Sequence, residues 1–159
     1  MSDSPDHAQV RLAPPILIAL CLLAGWCLDQ GQVWPVLPAT AGVGLRVALS
    51  GAPILLGLGL ILYCAQLFKR AQTHIEPWRP TSSVITSGPY RYSRNPIYVG
   101  FVVAGAGIAL AFDSYWMLLG VLVFVLLANK HVIEREEEYL ARKFGEAYSS
   151  YRRATRRWL

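Results

Sequence analysis

The distribution of charge along the chain constrains its fold more than any other feature. Between Asn95 and Asn129 lie 35 residues whose only charge is Asp113, and Val47 to Phe68 gives another 22 with none. Hydrocarbon about 30 Å thick takes roughly 20 apolar residues per helix, and a helix satisfies its own backbone polar groups there. These runs therefore predict membrane-spanning helices. A further uncharged run, Leu12 to Leu28, carries Pro14 and Pro15 near its start. The leader before it, MSDSPDHAQVR, holds Asp3 and Asp6 against one Arg, and no small-x-small cleavage site follows Trp26. A retained helix is expected there rather than a secretory signal.

The expected fold is all-α: a polytopic membrane protein forming a single domain over 1–159, with spans at about 12–28, 47–68, 96–112 and 114–132. A composition that is 54% hydrophobic agrees with this reading. Only Asp113 and Ser114 separate the last two spans, which predicts a short antiparallel hairpin. Lys69, Arg70, Arg79, Arg91 and Arg94 lie between spans two and three, and more Arg and Lys follow span four. The opposite side holds only Arg46 among basic residues. Both termini and the 69–95 loop are therefore expected on the cytoplasmic side. The net charge of +5 belongs to this bias and to contact with anionic headgroups; no nucleic-acid partner is expected.

Beyond the fourth span, Ile133, Leu140, Phe144, Tyr148 and Tyr151 recur at helical intervals with charges between them. This predicts a cytoplasmic amphipathic helix, with Gly145 as a candidate interruption. Glu134, Arg135, Glu138 and Arg142 on its polar face allow some i,i+4 pairing. Cys21, Cys27 and Cys64 sit in apolar runs without CxxC spacing and read as small hydrophobes, so no metal site is expected. Glycines in GAPILLGLGL and GFVVAGAG read as close helix contacts.

Two polar clusters flank the hairpin: GPYRYSRNPIYVG, residues 88–100, and HVIEREEEYL, residues 131–140. A polar group left unsatisfied beside hydrocarbon costs several kcal/mol, so these side chains need partners. If both hairpin ends return to one side, Arg91, Arg94 and Asn95 face His131, Glu134, Glu136 and Glu137. Charge and hydropathy alone leave two readings open, a set of interfacial anchors or a pocket.

The first cluster, the hydrophobic stretch and REEEYLARKFGEAYSSY after it together resemble the integral-membrane methyltransferases that include isoprenylcysteine carboxyl methyltransferase and the phospholipid N-methyltransferases. The family pattern is carried by Gly88, Pro89, Tyr90, Arg94, Asn95, Pro96, Tyr98 and Gly100, then by Glu136, Glu137, Leu140, Phe144, Gly145, Tyr148 and Tyr151. The resemblance covers about residues 76–159. It implies methyl transfer from S-adenosylmethionine to a lipid or other hydrophobic acceptor at the membrane–cytoplasm interface. It implies catalytic roles for Arg94, Asn95 and Glu137, and cofactor binding by Gly88, Tyr90, Arg94, Pro96, Tyr98, Glu136 and Glu137. The eukaryotic carboxyl methyltransferases have His where this chain has Asn95, so the function of that imidazole does not carry over.

The cofactor's chemistry suits these residues. A Glu can pair with its ammonium; Arg94, or backbone N–H groups at the start of span three, can hold its carboxylate. Tyr90, Tyr92 and Tyr98 offer aromatic faces to adenine or sulfonium. His131 reads as an interfacial residue, and an amine acceptor would look to it or to a Glu for deprotonation. Arg152, Arg153, Arg156 and Arg157 read as contacts to the membrane surface, with Trp158 and Trp78 as interface anchors. Two rival readings are an NADPH-dependent membrane reductase of sterol-reductase type and a non-enzymatic membrane scaffold.

Overall fold

The computed structural model describes residues 13–31, 34–73 and 81–159. The leader, Leu12, Trp78 and Arg79 lie outside them. Among the described residues all the regular elements are helical: α1 (Pro14–Asp29), α2 (Val43–Arg70), a 3₁₀ turn (Gly88–Arg91), α3 (Pro96–Ala111), α4 (Tyr115–Ala128), a π turn (Asn129–Ile133), α5 (Glu134–Phe144) and α6 (Glu146–Ala154). Helix α4, the π turn and α5 run on as one helix of 30 residues, Tyr115–Phe144. That helix and the 28-residue α2 are long and apolar enough to cross a membrane; α1 and α3 are shorter apolar helices of 16 residues each.

Local chemistry sets the boundaries. Proline opens α1 and α3, at positions where its missing N–H costs nothing. The α3–α4 turn passes through Asp113 at φ 52°, and Ser114 then caps α4 by accepting from the Met117 amide at 3.0 Å. Gly145, at φ 54°, ends α5 and redirects the chain into α6.

Helix α2 begins four residues before the uncharged run at Val47 and so takes in Arg46. Asp113 is its partner. Arg46 Nη1 donates to Asp113 Oδ2 at 2.7 Å, while the Val36 and Leu37 amides donate to Asp113 Oδ1 at 2.8 and 2.7 Å. The one charge inside the long apolar run thus ties the α1–α2 connection to the hairpin turn.

Although the hairpin turn is short, α3 and α4 each make their closest approach to an earlier helix. A Cβ built on Gly57 of α2 would stand 2.5 Å from the Gly100 carbonyl oxygen of α3. One on Gly120 of α4 would stand 2.5 Å from the Cys21 carbonyl oxygen of α1. Small residues thus bring two pairs of backbones together, as packing without a hydrophobic driving force requires. Outside this seam α2 exposes Leu55, Leu56 and Leu62 at 72%, 69% and 63%, an apolar surface suited to hydrocarbon. The core gathers Ile18, Tyr98, Phe124, Val132 and Ile133, and Trp158, partly buried, packs against it.

The seam predicts a sharp contrast between two glycines of one helix. Gly57→Leu should lower the thermal unfolding midpoint in detergent, since forced overpacking costs about 1–3 kcal/mol or more. Gly59→Leu, at a site with nothing within 4 Å, should leave it near wild type.

Candidate active site

The hairpin carries the start of α3 and the end of α4 to one side, where the 88–95 segment meets α5, α6 and the chain's last residues. Gly88 enters its turn at φ 61°, with the Leu67 side chain so close that an added Cβ would lie 3.0 Å away. Ser93 and Arg156 then pair in a short parallel bridge. The Arg94 amide donates to the Arg156 carbonyl at 2.9 Å, and Asn95 Nδ2 donates to the Arg157 carbonyl at 2.9 Å. The Tyr151 hydroxyl donates to the Tyr90 carbonyl at 2.7 Å, fixing α6 to the 3₁₀ turn.

Glu137 lies at the centre of this junction, buried between two guanidinium groups. Arg94 Nη2 donates to its Oε1 at 2.7 Å, and Arg157 Nη2 to its Oε2 at 2.9 Å. Arg94 Nη1 reaches on to the Arg152 and Thr155 carbonyls at 2.9 and 2.7 Å. Arg157 Nη1 contacts the Asn129 side chain in the π turn at 3.2 Å. Burial works against the Glu137 charge, but the hydrogen bonds and charges of Arg157 and Arg94 prevail and hold its carboxyl below the ordinary Glu range.

Glu136, its neighbour, has the opposite environment. It accepts from the Tyr98 hydroxyl at 3.0 Å and lines the cavity. Burial, reinforced by the adjacent Glu137 charge and opposed by the Tyr98 hydrogen bond, raises its carboxyl from 4.5 to about 7. Burial likewise raises the Tyr148 hydroxyl to about 12 and the Tyr90 and Tyr151 hydroxyls upward, so all three phenols stay protonated at neutral pH.

The cavity encloses about 300 Å³, the lower end of the range typical of small-molecule sites. Pro14 and Pro15 of α1, Ile61 and Phe68 of α2, and Ile97 and Phe101 of α3 form apolar walls. Val84 and Ile85 close it from the preceding loop. Tyr90, Tyr98, Glu136, Tyr148 and Tyr151 supply polar atoms and ring faces. A largely apolar pocket with two carboxyl groups, one of them paired to Arg94, and several aromatic rings favours a ligand that is part apolar and part cationic.

Of the residues singled out in the sequence, Tyr90, Arg94, Asn95, Tyr98, Glu136 and Glu137 all line this cavity, while Gly88 and Pro96 do not line it and stand in the backbone beside it, as turn entry and first helical residue. Within that group Arg94 and Glu137 face each other, and the Asn95 amide is tied to the C-terminal segment. Arg91, Tyr92 and His131 point outward and are exposed. Arg157, grouped in the sequence with a membrane-facing tail, instead completes the Glu137 clamp. Its partner is 20 residues away in the chain, and no local spacing marks the pair. Tyr148 and Tyr151 did carry a signal: three residues apart, they share a helix face.

Apolar helices thus bring two motif segments together around one cavity. Residues 45–147 match the phospholipid methyltransferase family, and the chain belongs to it. Protein-S-isoprenylcysteine O-methyltransferase of Schizosaccharomyces pombe is 34% identical over 73 residues, 44% of this chain and 30% of that protein. Methanethiol S-methyltransferase of a Pseudomonas species is 30% identical over 164 aligned positions, covering 92% of this chain and 56% of that protein. An uncharacterized protein of Haemophilus influenzae is 51% identical over 41 residues, 26% of this chain and 65% of that protein. The aligned part of the chain thus spans under two thirds of each of these relatives. No solved structure matches.

Two outcomes follow from the paired glutamates. Arg94→Ala takes one of two cations from the buried Glu137 charge and leaves Arg157 in place, so it should lower the unfolding midpoint by less than the roughly 3–5 kcal/mol that a wholly unpaired buried charge costs. Glu136 carries a folded-state value above its unfolded one, so its contribution is present below about pH 4.5 and lost as pH rises through about 7. Thermal unfolding in detergent should show stability falling over that window in wild type, and Glu136→Gln should flatten the fall.

Proposed function

We propose that this protein transfers the methyl group of S-adenosylmethionine to a lipid or other hydrophobic acceptor. In this reading it crosses the membrane four times and keeps the cavity, the basic loop and both termini on the cytoplasmic side. The observation that carries the proposal is the cavity itself, a largely apolar pocket between two motif segments with two carboxyl groups and tyrosine rings on its wall. Family membership and two relatives named as methyltransferases support it.

The residues present fit the cofactor's cationic groups, while Arg94, read in the sequence as a partner for its carboxylate, is bonded to Glu137 and to the Arg152 and Thr155 carbonyls. The cofactor brings a sulfonium-bound methyl group that is electrophilic, and a cation of that kind is attracted by carboxylates and aromatic faces. Glu136, Tyr90, Tyr98, Tyr148 and Tyr151 would surround it. The clamp of Arg94, Glu137 and Arg157 keeps the two motif segments together and the pocket closed to water. Gly88 and Pro96 set the backbone that carries Tyr90 and Tyr98. Methyl transfer needs a nucleophile in line with the methyl group and a dry site more than it needs strong acid or base catalysis. The apolar walls from α2 and α3 would take a hydrophobic tail arriving from the bilayer.

S-adenosylhomocysteine should raise the unfolding midpoint of the detergent-solubilised protein, because a ligand present at 100 times its Kd adds about 2.7 kcal/mol to a folded state. NADPH should leave the midpoint unchanged. No shift with the first ligand contradicts the proposal, and a shift with NADPH alone would support the reductase instead.

A further inference from the structure

The contacts around the 3₁₀ turn gather exposed cations on the outside of the molecule. Leu67, near the end of α2, lies against Gly88, and Phe68 packs edge-on to Tyr90 with ring centroids 5.8 Å apart. Lys69 and Arg70, next in the chain, therefore stand beside the turn that carries Arg91. From the other side the Tyr151 hydroxyl donates to the Tyr90 carbonyl, and the Arg94 amide to the Arg156 carbonyl, which brings Arg152 and Arg156 to the same junction. Lys69, Arg70, Arg91, Arg152 and Arg156 are all exposed, and among the described residues none of them forms an ion pair.

Cations collected in this way repel one another unless anions stand among them. The adjoining surface indicates which anions. The exposed apolar face of α2 runs through Leu55, Leu56, Leu62 and Tyr63, and the helix then ends in Lys69 and Arg70. On α4 the exposed Leu122 and Leu126 are followed by Lys130 in the π turn. Two helices thus pass from apolar to basic surface at the same end, the pattern that suits hydrocarbon bordered by anionic headgroups. Tyr92, exposed beside Arg91, is a residue type at home at that border.

The segment that carries Arg152 and Arg156 also has an inner face. The Arg152 and Thr155 carbonyls accept from Arg94 Nη1, and the Arg157 side chain pairs with Glu137. Tyr148 and Tyr151 of α6 line the cavity. Gly145, at φ 54° and with open space where a Cβ would stand, is the joint between α5 and α6. Helix α6 and the residues after it therefore form a flap, with cations outside and the cavity wall inside.

We propose that anionic lipid headgroups bind the surface formed by Lys69, Arg70, Arg91, Arg152 and Arg156 and so hold the flap, α6 with residues 155–159, closed on the cavity. In a zwitterionic membrane the mutual repulsion of these cations loosens the flap; an anionic leaflet reverses the balance. The consequence for catalysis rests on the methyltransferase reading: cofactor affinity and transfer rate rise with the anionic lipid content of the membrane.

The test uses the full chain in nanodiscs of phosphatidylcholine alone and of phosphatidylcholine mixed with phosphatidylglycerol. Wild type is compared with the triple variant Arg91→Gln, Arg152→Gln, Arg156→Gln. Hydrogen exchange of the 148–159 amides, followed without cofactor, reads the flap directly. In wild type it should be at least about fivefold slower in the anionic discs, the factor one basic residue near an anionic leaflet contributes. Added salt should shrink that difference, and the triple variant should lose most of it. Equal exchange in the two discs, or a full response in the triple variant, overturns the proposal. Inorganic polyphosphate added to phosphatidylcholine discs should not reproduce the slowing; if it does, the surface belongs to a soluble polyanion and the lipid assignment is wrong.

A second readout carries the consequence for the cavity. Stabilisation by S-adenosylhomocysteine and transfer of label from S-adenosylmethionine should both be greater in the anionic discs. If exchange responds to lipid while both of these are equal in the two discs, the coupling of flap to cavity is refuted. If exchange responds but S-adenosylhomocysteine stabilises the protein in neither disc, the lipid-held flap stands and the methyltransferase reading alone fails.

Discussion

The buried carboxylate of Glu137 is the interaction on which the motif-bearing half of the structure depends. It joins Arg94, just ahead of α3, to Arg157, near the chain's end, with nitrogen–oxygen distances of 2.7 and 2.9 Å. Each arginine reaches further, Arg94 to the backbone at the end of α6 and Arg157 to the π turn. A buried ion pair often adds little net stability over an apolar substitute, but breaking it leaves an uncompensated charge. Its value here is geometric, since it fixes where two distant segments meet and so where the cavity lies.

The opposite end of the hairpin is held by the same kind of chemistry. Asp113 collects Arg46 and two backbone amides, and the charge that interrupts the apolar run becomes a lock between two connections. Between the two locks, glycine seams set the helix spacing, so the start of α3 arrives beside α5 within hydrogen-bonding range. Two adjacent glutamates then acquire different characters from their surroundings. Glu137 sits between cations and stays ionised, whereas Glu136 faces phenols and apolar walls and titrates near neutrality.

Much of this was legible in the sequence because it is local. Uncharged runs located the apolar helices, Pro96 marked the start of α3, and Gly145 marked the break before α6. The meeting of Arg94 and Asn95 with the glutamate cluster followed once both hairpin ends were taken to return to one side. What stayed hidden depends on distant partners. Arg46 lies inside a helix and pairs with Asp113, 67 residues away. Arg157 resembles its neighbours Arg153 and Arg156 in the sequence, and only the fold turns it toward Glu137. Glu136 and Glu137 are equivalent as letters; burial and the reach of two arginines separate them. The pairing of α3 with α2 depends on backbone approach at Gly57 and Gly100, which chain connectivity does not encode.

The most direct test of the account is transfer of labelled methyl from S-adenosylmethionine into organic extracts of membranes containing this protein, beside membranes containing Arg94→Ala at equal abundance. The account predicts a labelled, organic-soluble product with wild type and little or none when the clamp is opened. Absence of labelled product from wild type, or equal labelling by Arg94→Ala, would contradict it.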